Sequence, residues 1–70
     1  MATPRMEFSA QFKAKLKERA LLKGYTEYAF DLAVTEWETD AEPSNAVTDR
    51  LFQYFWEAQL EIMRRRGEIE

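Results

Sequence analysis

The apolar residues of this chain recur at spacings of three and four from one end to the other, and no stretch alternates as a strand does. Phe8, Phe12, Leu16 and Ala20 follow one another every four residues with Leu22 beside them. Gly24 stands where a helix needs a left-handed residue to stop, so the pattern predicts a first helix over 9–23 with Ser9 as a cap. Lys15 and Arg19 fall near its apolar face and are expected to lay their stems over the core. Thr26 is a good N-cap, and Tyr25 before it is placed to staple onto Phe30. Ala29, Phe30, Ala33, Val34 and Trp37 then form one stripe, which predicts a second helix over 26–39 whose apolar face is core. Pro43 disfavours helical geometry in the residue before it, so 40–43 read as a loop and Ser44 as a cap. A third helix follows over 45–66, with Arg64, Arg65 and Arg66 suited to the negative end of its dipole and Gly67 closing it. The fold class expected is all-α, a small three-helix bundle with a long C-terminal third helix. One domain spans 1–70, with frayed ends at 1–6 and 67–70.

The third helix carries more apolar surface than its predicted neighbours can use. The first two helices, of about 15 residues, reach roughly 22 Å, whereas the third, of about 22, reaches roughly 33 Å. Val47, Leu51, Phe55, Ala58 and Ile62 make one stripe on it, and Phe52, Trp56, Leu60 and Met63 make a second beside the first. Together they exceed the arc a surface helix needs. Either this helix is central, flanked on two sides, or the second stripe meets another chain. For Leu60 and Met63, toward the overhanging end, the second answer is expected, and a two-fold homodimer is its simplest form. Tyr25, Tyr28 and Leu32, on the far side of the second helix, form a possible second binding surface, which Met6 and the N-terminal segment are equally able to cover.

Composition narrows the chemistry. Seventy residues lie near the lower limit for a core that stands without staples, and cysteine and histidine are both absent. That removes disulfides, thiolate and imidazole metal ligands, the thiol nucleophile and the commonest general base. Ten aromatic residues argue for a folded chain although a third of the residues are charged. No run approaches a membrane span and the first residues lack a secretory h-region, so a cytoplasmic protein with no membrane partner is expected.

The net charge of −3 hides a segregation. Through Tyr25 there are six basic residues against Glu7 and Glu18, and from Thr26 through Asp49 there are seven acids and no base. A basic first helix lying beside an acidic second one, or a bipolar surface that orients a partner, would each account for this. A helix-turn-helix reading fails because the would-be recognition helix presents Glu27, Asp31, Glu36 and Glu38 with no cation. Nucleic acid, an unlikely partner on these grounds, would have to use Lys13 and Lys17 with Arg64, Arg65 and Arg66. The acids around Glu36, Asp40 and Glu42 lack the glycine and closing glutamate of a calcium loop. Ser9 and Ser44 have no histidine to activate them. The expectation is a non-enzymatic protein–protein interaction module, regulatory, adaptor or assembly in kind, with no catalytic residue, cofactor, metal or small-molecule substrate.

Leu21-Leu22-Lys23-Gly24-Tyr25-Thr26, with Ala29, Ala33 and Val34 following and Leu51 later, resembles the first loop and second helix of ubiquitin-associated-type three-helix domains. The resemblance covers residues 21–51 and implies binding of ubiquitin or another protein through an apolar loop and helix-end surface. Lys23 stands where that family has an apolar residue before the glycine, and the third helix runs well past the family's length.

Overall fold

A computed structural model describes residues 4–67. It contains three helices, α1 (Ala10–Leu22), α2 (Glu27–Glu38) and α3 (Ala46–Arg65), and no strand among the described residues. The all-α three-helix architecture is therefore the fold. Frayed ends were expected at 1–6 and 67–70; residues 1–3 and 68–70 lie outside the described residues, and residues 4–6 are tied to the bundle.

Each helix starts at a side chain that accepts from the first turn. The Ser9 hydroxyl accepts from the Phe12 amide at 3.1 Å and the Thr26 hydroxyl from the Ala29 amide at 3.1 Å. For α3 the cap is Asn45 rather than Ser44: its Oδ1 accepts from the amides of Val47 and Thr48, while the Asn45 amide donates to Thr48 Oγ1, a reciprocal capping box. Ser44 instead donates its amide to the Glu36 carboxylate at 3.4 Å.

The ends of α1 and α2 use the same device with different residues. Gly24, at φ +98°, lets the Tyr25 amide reach back to the Ala20 carbonyl at 3.0 Å. Asp40, at φ +62°, lets the Ala41 amide reach Glu36 O at 2.9 Å. Aspartate is one of the few residues besides glycine that enter the left-handed region, because its short polar side chain can bond locally.

The core joins Phe8, Leu16 and Ala20 to Phe30, Ala33 and Trp37 of α2 and to Leu51, Phe52, Phe55 and Ala58 of α3. Trp37 is its hub: its ring meets Phe8 at 5.8 Å, Phe52 and Phe55 at 5.5 Å, and Trp56 at 4.7 Å. Leu22 departs from the expected face and is exposed, because α1 packs through Leu16 and Ala20. α2 makes the most extensive contact with α3, and α1 packs on α2. Between α1 and α3 lies a cleft of about 430 Å³ whose floor includes Phe12, Leu16 and Ile62.

Candidate protein-binding surface

The second stripe of α3 is covered in part from within the chain. Residues 4–8 run across it as an extended arm, held by the side-chain amide of Gln59, which is 1% exposed. Gln59 donates its Nε2 to Pro4 O at 2.8 Å and accepts the Met6 amide at 2.7 Å on Oε1. Trp37 Nε1 donates to Met6 O at 2.8 Å, so the arm's backbone is bonded on both sides. Arg5 lies over Phe52, 4.8 Å from guanidinium carbon to ring centre, and 5.4 Å from the Trp37 ring. Its Nη1 donates to Glu36 O at 3.1 Å and Trp37 O at 3.4 Å. These are carbonyls of the last turn of α2, which has no basic residue of its own.

Burial within one copy divides the partner surface expected at Phe52, Trp56, Leu60 and Met63. Phe52 is 4% exposed inside one copy. Trp56 is half-buried against Trp37, and Met63 is half-buried with its sulfur 3.8 Å from Gln59 Nε2. Leu60 alone of the four is exposed. The length mismatch was real, with 20 residues in α3 against 13 and 12 in its neighbours. The arm fills part of it, over Phe52 and beside Gln59.

The second expected surface is brought together as a cleft, and it gains residues the sequence pattern had assigned elsewhere. Tyr25, Tyr28, Ala29 and Leu32 line one wall of an open cleft of about 710 Å³, while Asn45, Ala46, Val47 and Arg50 line the other. Tyr28 is 77% exposed and Val47 41% exposed, whereas Tyr25 and Leu32 are half-buried. Tyr25 does not simply staple its own helix, because its ring edge meets Tyr54 of α3 at 6.1 Å. Met6, the candidate cover for this surface, is spent on Gln59 and Trp37 instead. Val47 had been placed in the core stripe, and its position at the margin of that stripe was the one available sign of exposure.

Electrostatics of the cleft are one-sided. Lys23 and Arg50 are among its lining residues and no acid is. The capped N-termini of both α2 and α3 open at it through Thr26 and Asn45. Three of the four acids of α2 are turned toward α1: Lys13 pairs with Glu38 at 2.9 Å, and Lys17 with Glu27 at 3.0 Å and Asp31 at 3.2 Å. Its hydrogen bond to Glu27, then that to Asp31, holds the Lys17 ammonium above its ordinary value. The segregated charges of the sequence thus face each other across the α1–α2 seam.

Among the described residues, carboxylates of the chain pair with three of the five candidate nucleic-acid contacts. Lys13 and Lys17 are committed to α2, Arg65 pairs with Glu61 at 2.7 Å, and Arg64 and Arg66 are exposed at the helix end. Among the described residues no three His, Cys, Asp or Glu side chains are grouped to hold a metal ion, and no helix is long and apolar enough to cross a membrane. Comparison with known proteins gives no matching family model, no matching curated protein and no matching solved structure.

Proposed function

We propose that this chain is a non-enzymatic protein-binding module, and that it seats a bulky apolar side chain of its partner between the start of α2 and the start of α3. The observation that carries this reading is the exposure of Tyr28 beside Val47 in a cleft whose walls come from two helices. An aromatic ring left in water next to an aliphatic side chain gains contact area on binding at little conformational cost. Two packed helices hold the walls in place, which lowers the ordering cost of association. The absence of cysteine and histidine from the sequence removes the commonest nucleophile and general base and favours binding over catalysis. Of the four residues expected to carry a homodimer through the third helix, Leu60 keeps an exposed side chain and Phe52 does not.

The test is a peptide-display selection on the folded chain, counter-selected against a Tyr28→Asp, Val47→Asp variant. Peptides retained by the wild type and released by the variant are expected. The variant should keep its helical circular dichroism, since both side chains are exposed. A selection in which nothing depends on these two residues would rule out the assignment.

A further inference from the structure

The charge around this cleft defines the class of segment that fits it. Lys23 lies at the loop end of the cleft and Arg50 is one turn into α3. Lys23 Nζ sits 5.4 Å above the Tyr54 ring, and neither cation is paired with a carboxylate among the described residues. Glu27, the acid nearest the start of α2, is bonded to Lys17 on the α1 side. The first-turn backbone dipoles of two helices add positive potential at the same opening. A chain of net charge −3 thus lines the cleft beside its most exposed aromatic residue with two cations and no acid, Asp49 of the first turn of α3 lying outside that lining.

Resting on the binding-module reading above, we infer that the partner segment is an acidic peptide, with carboxylates flanking one aromatic or branched aliphatic side chain. The apolar side chain enters between Tyr28 and Val47, and the flanking carboxylates meet Lys23 and Arg50. The α1–α3 cleft is lined by charges of both signs, Lys15, Arg19, Lys23 and Arg65 with Glu57 and Glu61, so an acidic segment there would meet carboxylates that the cleft at Tyr28 lacks.

The experiment uses a displayed pool in which a fixed Leu-Trp pair is flanked by positions that are Asp, Ser or Lys. Enrichment of Asp over Lys by roughly tenfold is expected at low salt, and it should shrink at high salt as exposed pairs are screened. The Lys23→Glu, Arg50→Glu variant should invert the preference toward Lys. Binding that needs Tyr28 and Val47 but ignores flank charge would overturn this inference and leave the protein-binding reading standing. A pool with no member dependent on Tyr28 and Val47 would remove both. A concentration-dependent rise in molar mass abolished by Arg50→Glu would name a second copy as the occupant and overturn the acidic-peptide assignment.

Discussion

Two surfaces of the bundle begin from the same condition, an apolar stretch that the three helices do not cover, and end differently. Along Phe52 and Gln59 the chain covers itself with residues 4–8. Around Tyr28 and Val47 it does not. The covered side is closed by hydrogen bonds as much as by apolar contact: Gln59, Trp37 and Arg5 together satisfy the carbonyls of Pro4 and Met6 and two carbonyls at the end of α2. The open side has its helix caps satisfied by Thr26 and Asn45, so its backbone needs no covering segment. An apolar surface acquires an internal lid where polar groups beside it also need partners.

Substitutions separate the two surfaces by size of effect. Phe52→Ala is expected to cost about 3–5 kcal/mol in denaturant unfolding, because it opens a cavity under Arg5 and beside Trp37. Tyr28→Ala should stay within about 0.5 kcal/mol of wild type. Equal losses at the two positions would erase the distinction between covered and open. Gln59→Ala comes next, at about 1–3 kcal/mol, since it strands the Met6 amide and the Pro4 carbonyl in a buried setting. Hydrogen exchange at the Met6 amide should accelerate with it, and unchanged protection there would show that the arm is held by other means. Arg5→Met keeps the stem over the rings but removes the donor to α2. About 1 kcal/mol is expected, and the loss should appear as faster exchange in the last turn of α2.

Much of the architecture was legible because helices announce themselves locally. The stops and caps at Ser9, Thr26 and Gly24 follow from the geometry of single turns, and the Phe30, Ala33 and Trp37 stripe from a 3.6-residue period. Counting stripes on α3 also detected the true excess of apolar surface. The covering element was missed because an extended arm of residues 4–8 has no period. Its attachments run from backbone groups to one amide across 53 and 55 positions of sequence. Gln59 was the available sign, a polar residue set among Phe52, Trp56, Leu60 and Met63. The second surface was read in half: Tyr25, Tyr28 and Leu32 came from one helix face, while Val47 and Arg50 join them only because α3 starts alongside α2.

Residue order alone determined the three helices, most of their limits and the aromatic core. Each of these depends on neighbours within a few positions or on a repeated spacing. Tertiary structure decided which apolar residues stay in water. That choice depends on where the first residues of the chain come to lie against the last helix, and no local interaction carries that information.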